Sequence, residues 1–319
     1  MKISGFTFIK NASKLYIPAK ESILSVLPLV DEFIIAVGDN DVDDTTLEII
    51  KSINSPKIKL VHTVWETEKY SKNTIYAQQT DVAMEACSGD WLIYIQGDEA
   101  LHEEDYPEIK QAMVDNFENK DVDGFIFQYK HFWGDYKHYH KNHFWYPLEI
   151  RIVRKNSKVH SWKDAQSFRK FDNFNYTFED YMRKERTQKL NVLELNATVY
   201  HYGHVRPPRT MSQKHKAASK TFRGETVGAE KRYSGMFDYG PLDRIPVFKG
   251  THPKVMKDWI SKFDWADDLQ YSGKIDKTRN LFGHEKPKQR FVSWLENNIF
   301  GGKQLWGFKN YISLGKYKM

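Results

Sequence analysis

The chain has 319 residues with 48 basic and 42 acidic side chains, a formal net charge of +6, one cysteine, 20 Phe, 18 Tyr and 9 Trp. That length suits one large α/β domain with an appendage, one cysteine excludes an internal disulfide framework, and no uncharged apolar run approaches the ~20 residues that span a bilayer. The net charge hides a split: residues 1–120 carry 11 basic and 21 acidic side chains, whereas residues 121–319 carry 37 and 21, with ten of the twelve histidines.

Residues 3–9 form a short apolar run, read as a strand rather than a leader peptide. Residues 21–29 have helical spacing, and residues 32–37 (EFIIAV) are β-rich. Residues 45–53 predict a helix with Asp44 or Thr45 as N-cap, followed by a strand over 57–62. A helix over 75–86, a buried strand over 91–95 (WLIYI) and a helix over 104–117 complete the first third. Strand–helix alternation at this spacing predicts a parallel sheet with right-handed crossovers. Beyond residue 120 the alternation loosens. Strands are expected over 124–130 and 148–154, around an aromatic and histidine-rich stretch, and again over 197–202. A basic helix over 209–222, a loop-like stretch over 224–253 and short helices over 254–263 and 291–298 come next.

In open α/β sheets, ligands bind outside the carboxyl ends of the strands. Lys10-Asn11 follows the first strand, an acidic run from Asp39 to Asp44 follows the second, and Gln96-Gly97-Asp98-Glu99 follows the strand over 91–95. Two acidic loops thus share one sheet edge. Carboxylates placed there suit a hard divalent cation shared with a substrate's phosphates, and Asp98 is the best single candidate. Taken alone, Asp98 is as readily a turn or N-cap aspartate, and for Asp39 a turn role is favoured. The run 39–44 lacks the central Gly and terminal Glu of an EF-hand, and no Gly-rich phosphate loop occurs.

Residues 3–11, 33–46 (FIIAVGDNDVDDTT) and 83–101 (AMEACSGDWLIYIQGDEAL) resemble the nucleotide-sugar-binding half of family 2 glycosyltransferases. The resemblance implies an α/β GT-A fold, a Rossmann-like nucleotide-diphospho-sugar transferase with a mixed, mostly parallel sheet flanked by helices and a C-terminal helical and loop extension. It implies a domain over 1–220, divided into a nucleotide-sugar half (1–120) and an acceptor half (121–220), with the extension over 221–319. Phe8, Asn11, Asp39, Asp44, Gln96, Gly97, Asp98 and Arg206 would bind the nucleotide sugar. Gln96-Gly97-Asp98-Glu99 stands at the family's D-x-D signature with Gln in place of the first Asp. Asp98 keeps the metal role there, with His201 completing the coordination of Mn²⁺ or Mg²⁺.

The activity implied is metal-dependent transfer of a sugar from a nucleotide-diphosphate donor to a hydroxyl acceptor, such as a glycan or lipid-linked sugar. An inverting displacement needs a base for the acceptor hydroxyl and charge stabilisation for the leaving diphosphate. Asp164 is the favoured base and Asp180 its competitor, while Arg206, Arg209 and Lys214 are candidates for a phosphate clamp. Trp145 and Trp162 are candidate acceptor platforms. Zinc binding by His138, His140 and His143 is disfavoured without cysteines or an H-E-x-x-H helix, and Cys87 reads as a core residue. The main rival is a nucleic-acid binder or base-modifying enzyme using the basic second half; a sugar-nucleotide nucleotidyltransferase is disfavoured. The tail 286–319 interleaves Trp294, Phe300, Trp306, Phe308 and Tyr311 with Lys and Arg, as interfacial segments do. Inward packing of these aromatics is preferred there to peripheral membrane contact. The expected location is cytoplasmic, or peripheral on the inner face of the membrane.

Overall fold

Apolar runs that alternate with amphipathic segments place the first third as its spacing predicts. In the computed structural model, which describes residues 1–319 apart from 224–226, 277 and 308, strands β1 (Ile3–Ile9), β2 (Glu32–Val37), β3 (Ile58–His62) and β4 (Trp91–Tyr94) alternate with helices α1 (Ala19–Val26), α2 (Thr46–Lys51) and α3 (Thr74–Glu85). All four strands are parallel, in the order β3-β2-β1-β4. Every residue of β2 and β4 is buried, as strands covered on both faces must be. One face packs Ile3, Phe33, Ile35 and Trp91 against Ile23 and Val26 of α1. The other packs Phe6, Ile34 and Leu92 against Ala83 and Met84 of α3.

The chain continues through β5 (Glu99–Leu101), α4 (Tyr106–Asp115), β6 (Gly124–Trp133), β7 (Tyr139–His140), β8 (Leu148–Arg154), β9 (Val159–Trp162), β10 (Ser167–Phe171), α5 (Phe178–Met182) and β11 (Thr187–His204). Here the sheet becomes mixed. β8 is antiparallel to both β4 and β6, whereas β6 runs parallel to β11. β11 is 18 residues long and pairs with β5, β6, β10 and β12 (Tyr311–Lys316). The sequence predicts only its end, because residues 187–196 alternate irregularly between buried and exposed positions.

α6 (Pro208–Arg223), α7 (Val227–Arg232), α8 (Lys257–Ile260) and α9 (Pro287–Asn298) complete the helices. α7 interrupts the stretch read as loop, and the helix expected over 254–263 shrinks to α8 behind a 3-10 turn. The extension shares a core with the sheet: Tyr239, Leu242, Met256 and Trp265 pack on Phe132, Trp133, Tyr200 and Tyr202. No helix among the described residues is long and apolar enough to cross a membrane.

Candidate functional site

β4 and β11 bring the site together. Gln96 and Gly97 make the turn after β4, and Gly97 fits because a Cβ there would sit 3.0 Å from the Ile17 side chain. Asp98 comes next. Its backbone carbonyl accepts from Tyr202 N–H of β11 (2.8 Å), which fixes the loop to the strand that carries His201. The Asp98 side chain is 13 % exposed and divides its two oxygens. Oδ2 accepts from Lys214 Nζ at 3.0 Å and lies 3.4 Å from the Arg206 guanidinium. Oδ1 lies 3.8 Å from His201 Nε2. Burial alone would raise the Asp98 carboxyl, but Lys214 foremost, with Arg206, holds it far below the ordinary range. Burial and the Arg206 charge lower Lys214 to about 8.

A chain of hydrogen bonds fixes the His201 tautomer. His131 Nε2 lies 2.8 Å from the Tyr146 carbonyl, which only accepts, so that nitrogen carries the hydrogen. Burial pushes His131 well below its ordinary pKa and lowers His201 as well, so both rings are neutral. His131 Nδ1 is then an acceptor, and His201 Nδ1, 2.9 Å away, donates to it. His201 Nε2 is left with a bare lone pair facing a carboxylate oxygen. Two lone pairs set this way invite a cation, and a ligating imidazole whose other nitrogen donates to a fixed partner is the usual arrangement around a metal. Gly203 keeps the space open, since a Cβ there would fall 2.3 Å from His201 Nε2 and 3.1 Å from Asp98 Oδ2. The residues therefore fit a divalent cation, but with two protein donors only. No group of three or more His, Cys, Asp or Glu side chains able to hold a metal occurs among the described residues, so further ligands would come from a substrate's oxygens and water.

Behind Asp98 lies a pair that sequence reasoning missed. Glu99, fully buried, accepts from Arg151 Nε (2.9 Å) and Nη2 (2.8 Å), and from the Tyr129 hydroxyl (2.8 Å). Arg151 Nη1 donates in turn to the Ile150 and Gln166 carbonyls. This braces the loop over 163–166 against β8. Asp164 sits in that loop between Lys163 (φ +58°) and Ala165 (φ +60°), two non-glycine residues in the left-handed region. Gln96 Nε2 reaches the Ala165 carbonyl at 3.4 Å and so joins this loop to the one carrying Asp98. Asp164 opens to solvent yet is hemmed in by protein, and the desolvation raises its pKa. Burial raises Tyr76, and the charges of both Asp164 and Asp98 raise it further, so the hydroxyl of this ring feels both carboxylates.

On the same ring, Phe8 stacks on Tyr76 (5.7 Å, 11°) and packs beside Trp65. Asp39 Oδ1 accepts from Lys10 Nζ (2.8 Å) and Trp65 N–H (3.0 Å), which outweigh burial and hold its carboxyl below the ordinary value. Trp65, a lone aromatic just after β3, carried no motif to mark it.

Four candidates are engaged by their surroundings. Asp44 is buried and engaged by its own loop and the one after β1, accepting from Ser13 Oγ (2.6 Å), Lys14 N–H (3.1 Å) and Thr46 N–H (2.9 Å). Asn11 likewise ties the loops, through Asp41 N–H (2.8 Å) and Asn40 Oδ1 (2.7 Å). Asp180 caps α5, bonded to Asn175 N–H (2.8 Å) and Thr177 and paired with Arg183 (3.1 Å). Trp162 is 2 % exposed with its indole N–H on the Arg183 carbonyl (2.9 Å), so it offers no face to a ligand. Trp145, by contrast, lines a cavity of about 240 Å³ together with His131, His140 and Tyr146. Arg209 is exposed, and Cys87 is a buried core residue as expected. His138 pairs with Asp135 and His143 with Glu296, each 2.9 Å or less away, rather than converging on a metal.

Residues 17–177 match the sequence profile described as Glycosyl transferase family 2. No curated protein matches the chain. Among solved structures, TarS of S. aureus aligns at 13 % identity over 72 % of this chain and 42 % of its own, with a TM-score of 0.37. Its 1–349 form in complex with UDP-GlcNAc aligns at 14 % identity over 72 % and 70 %, with a TM-score of 0.37. Glucosyl-3-phosphoglycerate synthase from Mycobacterium tuberculosis, in complex with Mn²⁺, UDP and glucosyl-3-phosphoglycerate, aligns at 18 % over 40 % and 43 %, with a TM-score of 0.26. The chain thus spans less than half the length of the first of these.

Proposed function

This chain belongs to glycosyl transferase family 2, and on that premise we propose that it moves a sugar from a nucleoside-diphosphate donor to a hydroxyl acceptor, with a divalent cation between Asp98 and His201. The observation that carries this reading is the facing pair of lone pairs, Asp98 Oδ1 and His201 Nε2, with Lys214 and Arg206 on the other carboxylate oxygen. When bound, Mn²⁺ or Mg²⁺ supplies positive charge to the diphosphate oxygens as the bond to the sugar breaks.

Arg206 and Lys214 add fixed cations for the same developing charge, and their burial strengthens them. Asp39 and the ring face of Phe8 serve the nucleobase side of the donor. Asp164 takes the proton of the acceptor hydroxyl while that oxygen attacks the anomeric carbon from the side opposite the leaving diphosphate, which inverts the centre. Its raised pKa suits a base, and its strained, braced loop holds it in place. The bracing and the hydrogen bonds occupying Asp180 both favour Asp164 over Asp180. Trp145 serves the acceptor. Residues 1–220 form the transferase unit in this reading, with 221–319 as an extension built onto its core.

A thermal-shift panel of UDP-, GDP-, CMP- and dTDP-sugars with and without Mn²⁺ tests it. A donor present at about 100 times its Kd stabilises the protein by about 2.7 kcal/mol. One nucleotide should raise the melting temperature only when metal is present. No shift with any of the four, with or without Mn²⁺, sinks the reading.

A further inference from the structure

α9 turns its polar side inward. Ser293 and Glu296 are 8 % and 4 % exposed: Ser293 Oγ accepts from His143 N–H (2.9 Å), and Glu296 accepts from His143 Nδ1 and Leu305 N–H, both at 2.6 Å. The opposite face carries Phe291 and Trp294, three residues apart and so adjacent on the helix, at 62 % and 55 % exposure. Ile299 and Phe300, just past the helix, are also exposed, and Trp306 is 88 % exposed. An aromatic patch of this kind on a protein surface marks a partner. The inward packing expected for these rings is thereby corrected for Trp294, Phe300 and Trp306. Tyr311 is half-buried and packs on the sheet, and Phe308 lies outside the described residues.

Charge says what the partner is. Residues 286–319 contain one acid, Glu296, and it is buried and hydrogen-bonded. Lys286, Lys288, Arg290 and Lys303 are exposed around the rings. A second copy of the same patch would set like charges face to face. An anionic lipid surface answers both features, with headgroup phosphates for the cations and an interfacial layer for Trp and Phe.

We propose that α9 and the segment after it through Trp306 dock the enzyme on an anionic lipid surface. The cavity beside Trp145 is walled on one side by Asn297, Gly302 and Gln304 of this same segment, so docking sets that cavity close to the lipid. The docking needs neither donor nor metal and stands apart from the assignment of the reaction.

Flotation of the full chain tests it, with phosphatidylcholine vesicles with and without phosphatidylglycerol, for wild type and for the triple variant Phe291→Ser, Trp294→Ser, Trp306→Ser. Wild type should float with the anionic vesicles only, and more salt should release it. The triple variant should bind at least about tenfold more weakly with a cooperative melting transition, because its altered side chains are more than half exposed. Failure of wild type to float, equal flotation with neutral vesicles, or undiminished flotation of the variant would each overturn the proposal. So would a wild-type dimer by light scattering that the three substitutions split, which would give the patch to a second copy of this chain.

Discussion

Two sets of carboxylates stand on the same sheet edge and are treated differently by the fold. Those after β2 are satisfied close at hand: Asp44 by Ser13, Lys14 and Thr46, Asp39 by Lys10 and Trp65. Asp98, after β4, is balanced by Arg206 and Lys214 and faces His201, all more than 100 residues further along the chain. A carboxylate answered by the neighbouring strand-end loops helps hold those loops together. One answered by distant cations, beside a bare histidine nitrogen, is positioned for a ligand.

Exchanging the special carboxylate for its amide should break this contrast hardest. Asp98→Asn should lower turnover by about a thousandfold, since it weakens charge stabilisation at the leaving group. Steady-state kinetics check it, and near-normal turnover would put Asp98 among the loop builders. Asp164→Asn should lower kcat by about a hundredfold or more while the donor Kd holds, the signature of a lost base. In the parent enzyme, Asp164 works as the anion and burial raises its pKa. The acid limb of kcat/KM should therefore fall at a pH above the ordinary aspartate value of about 4, and the Asp164→Asn variant should lack that limb.

The relay behind His201 sharpens the comparison further. His131→Phe keeps a ring but offers His201 no acceptor, and Mn²⁺ affinity should drop about 10- to 100-fold. His131→Asn, which can still accept from His201 Nδ1, should recover most of it. Equal affinity in both variants would show that the tautomer is set elsewhere; ¹⁵N spectra of the imidazole nitrogens read it directly. The smallest effect belongs to Asp180→Asn. Loss of a capping carboxylate should cost about 1 kcal/mol of stability, seen in urea melts, with kcat unchanged.

Much of the site was legible where function sits at a strand end. Apolar runs announced β1, β2 and β4, and the loop leaving each run lies at the edge where ligands bind. The rest depended on pairing over distance. Glu99 looked like the tail of a motif, and only the sheet sets it against Arg151, 52 residues on. His131 stood in a crowded aromatic stretch with nothing to single it out until β6 aligned it with His201. Asp180 and Asp164 were both plausible acids, and their backbone settings differ: one closes a capping box, the other sits between two residues in the left-handed region. α9 misled for a related reason, because its few polar residues found partners inside and left its aromatics to solvent.

The most direct test of the central claim is Mn²⁺ uptake measured by electron paramagnetic resonance, with each nucleoside diphosphate in turn, for wild type, Asp98→Asn and His201→Ala. Wild type should take up Mn²⁺ with one nucleotide, and both variants should lose that uptake while their melting curves remain cooperative. Uptake undiminished in both variants, or none in wild type with any nucleotide, would contradict the account.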